Sequence, residues 1–211
     1  FRGFNNKVTV SVDWYSKETS DMLLQVPMMG TSGIQDFPYV NGGNVLNKGL
    51  EILVGYQNTT PGGFSYDVSG NISFNKNKVT ALSNAGTSIF RWISFVQDVN
   101  VTQIGSPIAS FYGWKVEGVF QTQDEVDKHA TQSTGTAPGD FKFADLDGNG
   151  VINANDQTII GNPWPKFIYG LNGAFSYKNL DFKLQIQGVS GNDIFNAQKF
   201  RLEGSNFFNY T

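Results

Sequence analysis

Hydrophobic and polar residues alternate with a period of two along much of the chain. The clearest run extends from Phe64 to Phe74, where every second residue is apolar or Gly and the residues between are small and polar. Since successive side chains of a β-strand point to opposite faces, this run predicts a strand with one apolar face. The sequence predicts six such strands, the other five being 8–14, 50–56, 112–118, 167–177 and 180–188.

The connections between these predicted strands are of two kinds. Asn58 to Gly63 and the pair Lys178-Asn179 are short and polar, which favours antiparallel hairpins. We interpret Gly62-Gly63, and likewise Gly42-Gly43, as turns. The other connections are longer than the about 12–15 residues that a compact domain usually tolerates without structure, namely residues 16–48, 76–107 and 121–164. Short turns at one end and long loops at the other are typical of an outer-membrane β-barrel.

Aromatic residues on the apolar faces concentrate near the strand ends. Phe64 and Phe74 bound one predicted strand, and Phe167 and Tyr177 bound another, with aliphatic residues or Gly between them. Interfacial aromatic girdles of a membrane barrel have this arrangement. A soluble secreted β-sandwich that binds glycan or protein also has alternating, aromatic-containing strands. The periodicity therefore leaves both architectures open.

Composition excludes several functional classes. The 211 residues carry a formal charge of −3 and contain no basic run, so nucleic acid is not an expected partner. The absence of Cys excludes disulfides, thiolate metal sites and a Cys nucleophile. No apolar run approaches the about 20 residues of a membrane-spanning helix, and the first 20 residues do not resemble a signal peptide. Spanning by strands remains open.

Catalytic motifs are absent from the sequence. The single histidine, His129, follows a short charged segment in which Thr122 and Glu125 have capping-box spacing, and we expect it on the surface. No serine or carboxylate is related to it by a known spacing, and no spacing selects a glycosidase-type acidic pair. We therefore do not expect an enzyme.

Residues 145–156 form the strongest candidate ligand site, a calcium-like loop. Oxygen donors occupy positions 1, 3, 5, 9 and 12 of an EF-hand-type pattern, and Gly150 occupies position 6, where the chain must turn sharply. Position 12 is Asp in place of Glu, as in the similar loops of cellulosome dockerins. The expected Ca²⁺ ligands are Asp145, Asp147, Asn149, the Val151 carbonyl and Asp156. The alternative is an Asx-rich turn held by side-chain to backbone hydrogen bonds without metal.

Several aromatic residues outside the strand pattern could stack on sugar rings or contact a partner, although burial in loop clusters is the simpler explanation. They are Phe90, Trp92, Phe95, Phe111, Tyr112, Trp164, Phe207, Phe208 and Tyr210.

Several longer segments of the sequence resemble those of a known protein family. The run from Pro138 to Gly170, PGDFKFADLDGNGVINANDQTIIGNPWPKFIYG, closely resembles a stretch of SusC/RagA-type TonB-linked outer-membrane receptors, apart from Asn149 and Trp164. Segments that match the family in the same order are DWYSKETSDMLL at 13–24, NGGNVLNKGLE at 41–51, IGSPIASFYGW at 104–114 and the residues around 187–196.

The resemblance implies that the chain is a fragment from the C-terminal half of a 22-stranded transmembrane β-barrel, with long extracellular loops. About six strands cannot close a barrel of that size. The whole protein would then lie in the bacterial outer membrane and import oligosaccharides or peptides. Its implied partners are a SusD-like surface lipoprotein at the extracellular mouth, TonB acting through a plug outside this chain, and outer-membrane lipid. The calcium loop would brace the long loop 121–164.

Overall fold

The computed structural model describes residues 1–25, 39–82, 88–93 and 96–199. These residues include twelve strands, one six-residue α-helix and one 3₁₀ turn. The strands are β1 (Arg2–Gly3), β2 (Val8–Gln25), β3 (Tyr39–Thr59), β4 (Ser65–Leu82), β5 (Ser88–Ile93), β6 (Val96–Gln103), β7 (Ser110–Trp114), β8 (Val116–Val119), β9 (Phe141–Phe143), β10 (Gln157–Gly161), β11 (Phe167–Tyr177) and β12 (Leu180–Ser190); the helix α1 is Gln123–Lys128 and the 3₁₀ turn is Ala154–Asp156.

Five long strands and the two-residue strand β1 form one antiparallel sheet, in the order β1-β2-β3-β4-β11-β12. Both hairpins expected from the short polar connections are present: β3 pairs with β4 and β11 pairs with β12. The second hairpin turns within Lys178-Asn179, and Lys178 has a φ of 54°. These short turns lie at one end of the sheet. No helix among the described residues is both long enough and apolar enough to cross a membrane.

The strands extend further than the amphipathic pattern indicates. The β2–β3 ladder continues beyond Trp14 to the pair Gln25 and Tyr39, so much of the expected connection 16–48 is strand; residues 26–38 lie outside the described part. Backbone hydrogen bonds maintain this pairing where neither face needs to be apolar, so the period-two signal disappears before the strand ends. Gly42-Gly43 lies inside β3 and not in a turn, which corrects our interpretation, whereas Gly62-Gly63 does form a turn.

The expected loops 76–107 and 121–164 contain much regular structure. A four-stranded sheet, in the order β10-β7-β6-β5, and the β8–β9 pair lie between β4 and β11 along the chain. We call the described residues 88–93 and 96–161 the cap. The predicted strand 112–118 is divided at Lys115, and its halves belong to different sheets. The Lys115 carbonyl accepts a hydrogen bond from the Ala144 N–H instead of continuing a single ladder.

The buried apolar side chains lie in the cap and where it meets the main sheet. Val79, Val101 and Phe120 are almost fully buried. Asn77 joins the two parts, since its side-chain amide donates to Asn47 across the sheet and accepts from the backbone N–H of Ile108, both at 2.8 Å. The cap is therefore fixed to the end of the sheet opposite the short turns.

Candidate functional site

The cross-strand register collects the apolar positions of five strands on one face of the main sheet. We call a set of residues that lie side by side across neighbouring strands a row. The central row consists of Val10, Val54, Gly70, Leu171 and Ile186, each residue paired with the next. The rows on either side are built in the same way because no register shift interrupts this part of the sheet. We call this surface the outer face.

The outer face is not covered by any residue that the structure describes. Val12 is 61% exposed, Trp14 71% and Phe182 60%, although all three belong to the apolar pattern. Soluble monomers rarely leave a contiguous apolar surface of more than a few hundred Å² uncovered. A β-sandwich would need a second sheet on this face, and the described residues supply none there. The exposed outer face favours the barrel interpretation over the soluble sandwich.

Aromatic side chains bound the outer face at both ends. Near the short turns, the rings of Tyr56 and Phe64 each lie 5.7 Å from the ring of Tyr66. Near the cap, the Phe74 and Phe167 rings are 6.0 Å apart. Tyr66 and Phe74 are eight residues apart on β4, about 27 Å along the strand at about 3.4 Å per residue. At the about 35–45° tilt of membrane strands, this length spans about 19–22 Å along the membrane normal, which is close to the apolar band about 25 Å tall between two girdles.

The opposite face of the sheet, the inner face, is polar. Its central row pairs Leu53 with Asn71 and continues through Gly170 to Gln187. Ser11 belongs to the same row, and neighbouring rows supply further polar residues: Thr9, Asp13, Glu51, Gln57, Asp67, Ser69, Ser73, Asn172, Asp181, Lys183 and Gln185. Alternation of a lipid-facing apolar surface with a polar lumen surface is the arrangement of a channel-forming barrel wall.

Residues 145–156, the calcium-like loop of the sequence analysis, lie in the cap and are called the acidic loop from here on. The acidic loop brings together three of the five predicted calcium ligands. Carboxylate oxygens of Asp145, Asp147 and Asp156 all lie within 4.8 Å of one another. Asp156 is fully buried, Asp145 is half-buried and Asp147 is exposed. Asn149 and Val151 use their oxygens inside the loop: the Asn149 side chain accepts from the Val151 N–H at 2.7 Å, and the Val151 carbonyl accepts from the Asn153 side chain at 3.1 Å.

Asp156 organises the backbone of the loop. Its two carboxylate oxygens accept from the backbone N–H of Leu146 at 2.9 Å and of Asn153 at 2.8 Å, with a longer bond from Asp147. The hydrogen bond from Asn153 is the main cause that holds the pKa of Asp156 below its ordinary value, while burial acts in the opposite direction. The buried carboxylate is thus charged at neutral pH and supported by N–H donors.

Other contacts make the loop compact. Asp145 accepts from the N–H groups of Gly148 and Gly150, both at 2.8 Å, and Gly150 has a φ of 82°, as a sharp turn at that position requires. Ile152, at position 8 of the EF-hand-type pattern, is buried, and its N–H donates to the Thr131 carbonyl. The side-chain to backbone bonds of the Asx-turn alternative are therefore present, and the cluster of three carboxylates is also compatible with a hard cation.

The predicted helix is present as α1, and its cap matches the expected spacing. The Thr122 hydroxyl accepts from the Glu125 N–H at 3.3 Å. His129 follows the helix, and our expectation of a surface histidine is only partly correct: it is half-buried, with its ring 5.2 Å from that of Phe120 in an edge-on contact. The packing with Phe120 gives it a structural role.

The candidate aromatic residues have different surroundings. Phe90 is 42% exposed and contacts the Tyr112 ring at 5.2 Å, and Phe111 is half-buried. Trp164 is half-buried and donates its indole N–H to the Ile108 carbonyl at 3.0 Å. Phe95, Phe207, Phe208 and Tyr210 lie outside the described residues, and Trp92 is described only as part of β5. Local packing accounts for the described contacts of Phe90, Tyr112 and Trp164.

The alternating apolar pattern does not identify one group of residues on the outer face, which consists of three lysines. Lys48, Lys76 and Lys78 continue the outward positions of β3 and β4 beyond Leu50 and Phe74. A period-two count continued past the apolar stretch places them on the outer face, but the apolar pattern itself ends where the residues become basic.

Comparison with known proteins identifies relatives over nearly the whole chain. The TonB-dependent receptor P3 of Formosa agariphila is 36% identical over 212 residues, which cover 99% of this chain and 21% of the relative. The TonB-dependent receptor P26 of the same organism is 30% identical, over 92% of this chain and 20% of the relative. The TonB-dependent receptor SusC of Bacteroides thetaiotaomicron is 26% identical over 92% of this chain and 19% of its own length.

A solved structure supports the same fold. A chain in the structure of the RagAB peptide transporter superposes with a TM-score of 0.75 at 22% identity, covering 96% of this chain and 21% of that chain. No protein-family model matches the sequence. The chain spans about a fifth of the length of these relatives. Over nearly its whole length the chain is similar to one segment of TonB-dependent receptors of the bacterial outer membrane, SusC among them, and its main sheet has the fold of a partial antiparallel β-barrel wall.

Proposed function

We propose that the polypeptide carrying this chain is an active importer of the bacterial outer membrane, energised by TonB, and that the chain supplies an arc of its barrel wall and an extracellular cap. The observation that carries the proposal is the uncovered outer face, in which five strands present apolar residues in register between two aromatic rims. The relatives named as TonB-dependent receptors support it. They are named as receptors and not as enzymes, which agrees with the lack of a catalytic motif.

The proposed substrates are oligosaccharides or peptides. The inner face supports this class because it offers many neutral hydrogen-bonding side chains, such as Ser69, Asn71, Asn172 and Gln185. Acidic and basic residues are both present on it, including Asp67 and Lys183, so it does not favour a strongly charged solute of one sign. Among the similar solved structures, one is named a peptide transporter.

The proposed partners are a SusD-like lipoprotein at the extracellular mouth and TonB on the periplasmic side. The position of the cap supports the first partner: it is fixed opposite the short turns, and in outer-membrane barrels short turns face the periplasm while longer segments face outward. TonB would act through a plug region that is not in this chain.

Deleting the encoding gene tests this function. Growth of the host on a panel of oligosaccharides and peptides, each as the sole carbon or nitrogen source, would be compared with and without the gene. The expected result is loss of growth on one substrate class, restored by the full-length gene but not by a copy that lacks the TonB-interacting segment. Equal growth of both strains on every substrate would contradict the proposal.

The acidic loop is proposed to hold a structural Ca²⁺. Asp145, Asp147, Asn149, the Val151 carbonyl and Asp156 would supply oxygen ligands, which suit a hard cation. The cluster of three carboxylates supports this assignment, since like charges within 4.8 Å repel one another unless a cation compensates them. Asn149 and Val151 would have to exchange their hydrogen bonds within the loop for the metal.

Chelation tests the calcium proposal. Addition of EDTA to the full-length protein is expected to increase proteolytic cleavage within residues 121–164, because the metal offsets the repulsion that otherwise opens the loop. Added Ca²⁺, but not Mg²⁺, should restore resistance. The D145N/D147N variant serves as the control, since EDTA should change its cleavage little. Identical cleavage of the wild-type protein with and without EDTA would contradict the proposal.

A further inference from the structure

Three lysines form a basic patch on the outer face immediately beyond the aromatic rim near the cap. Lys48 and Lys76 are directly paired across β3 and β4, and Lys78 is two residues further along the same face. Like charges placed directly opposite each other in a sheet are destabilising. All three side chains are exposed. This arrangement is therefore costly unless a negatively charged group lies against it.

The surroundings of the lysines form a concave surface region of about 500 Å³. Trp14, Trp164 and a fourth lysine, Lys166, contribute to its lining, and no acidic residue does. Among the described residues, none forms an ion pair or a hydrogen bond with the four ammonium groups. On this face Glu18 lies two strands from Lys78, about 10 Å at about 4.8 Å per strand, and diagonal to Lys48 on the neighbouring strand, about 7–8 Å away, where it forms no ion pair with that lysine.

The depth of the patch relates it to the membrane. Lys48 is two residues beyond Leu50, and Lys76 is two residues beyond Phe74, a rise of about 7 Å along each strand. The apolar band ends in the row of Trp14, Leu50 and Phe74, so the ammonium groups lie at the level of the lipid headgroups. The cap end of the sheet is the extracellular end of the proposed wall, so these headgroups belong to the outer leaflet.

We propose that Lys48, Lys76 and Lys78 bind the phosphate group of an anionic lipid headgroup of the outer leaflet. Clustered lysines beside a membrane surface attract anionic lipids, and the ammonium group is an effective phosphate binder. The two tryptophans frame the site with rings suited to the membrane interface. The site rests on the proposed function, because only a barrel wall in a bilayer places these residues beside headgroups.

The test uses the full-length receptor purified in a neutral detergent. Native mass spectrometry would measure binding of bisphosphorylated lipid A, of dephosphorylated lipid A, and of lipid A in competition with inorganic phosphate. The K48Q/K76Q/K78Q variant removes three charges and keeps side-chain length. The matched control K17Q/K115Q/K183Q removes three exposed lysines elsewhere on the inner face and in the cap.

The expected result is that K48Q/K76Q/K78Q binds bisphosphorylated lipid A at least about tenfold more weakly than the wild type, and the control variant within about twofold of it. Dephosphorylated lipid A should bind weakly to all three proteins. If the wild type and both variants bound lipid A with equal affinity, the proposed site would be refuted, and the three lysines would be ordinary solvent-exposed side chains. Displacement of lipid A by an equal concentration of inorganic phosphate would overturn the headgroup assignment. A wild-type receptor that is monodisperse without detergent would instead refute the proposed function.

Discussion

Replacing Leu171 with lysine is expected to lower the free energy of unfolding of the full-length receptor in a lipid bilayer by about 2–4 kcal/mol. Leu171 lies in the central row of the outer face, paired with Gly70 on one side and Ile186 on the other. A lysine there must place its ammonium group in hydrocarbon or bend toward an interface, and both cost free energy. The measurement is the midpoint and slope of urea-induced unfolding in phospholipid vesicles.

The matched control is Asn172→Lys. Asn172 is the next residue of the same strand, but it belongs to the polar inner face and pairs with Ser69 and Gln185. Its replacement should change the free energy of unfolding by less than about 1 kcal/mol, because the lysine remains in water. A Leu171→Lys protein that fails to fold beside a folded Asn172→Lys protein agrees with the expectation. Equal stability of the two variants would mean that the outer face does not contact lipid.

The second large effect is expected for Asp156→Ala in the cap. The substitution removes the buried carboxylate that accepts from the backbone N–H groups of Leu146 and Asn153, and partly buried donors that lose their acceptor are unfavourable. Limited proteolysis of the full-length protein should show cleavage within residues 121–164 that is about tenfold faster or more. The effect should persist in EDTA, because these hydrogen bonds require no metal.

Asp127→Ala is the control for this substitution. Asp127 lies on the exposed side of α1, and the structure gives its carboxylate one hydrogen bond, from the Gln123 side chain. Its removal should change the cleavage rate little. If Asp156→Ala and Asp127→Ala were cleaved at the same rate, Asp156 would not be the residue that orders the loop.

The main sheet could be predicted from sequence because each strand carries its own signal. Apolar residues at alternate positions on β11 and β12, with the two-residue turn at Lys178-Asn179, specify both the faces and the pairing. The cluster of three carboxylates in the acidic loop could also be predicted, since these residues lie close together along the sequence in a known spacing. The hydrogen bonds that occupy the oxygens of Asn149 and Val151 could not be predicted, because they depend on the conformation of the loop.

The cap escaped prediction because its order arises from long-range contacts. Val79 on β4 exchanges backbone hydrogen bonds with Gly105 and Ser106, and the buried Phe120 exchanges backbone hydrogen bonds with Gly139 and Asp140. Neither contact produces an alternating pattern of apolar and polar residues in the nearby sequence. The split of the predicted strand at Lys115 has the same origin, because the pattern of 112–118 does not record which partner each half pairs with.

The wall and the cap differ in what stabilises them. The cap buries its own apolar residues, such as Val101 and Phe120, as a water-soluble domain does. The wall leaves its apolar residues on the surface, and their burial depends on lipid. Loss of the acidic loop should therefore affect the cap and leave the wall intact, while charges on the outer face should affect the wall first.

Spin-label accessibility along β12 tests the central claim most directly. Single cysteines would be introduced at residues 182–187 of the full-length receptor, labelled, and examined in lipid vesicles with oxygen as the lipid-soluble relaxant and a nickel chelate as the water-soluble one. The expected result is an oscillation with a period of two, in which Phe182, Leu184 and Ile186 are reached by oxygen and the three positions between them by the chelate. Uniform accessibility, or positions 182, 184 and 186 shielded from both reagents, would contradict the assignment of the outer face to the membrane.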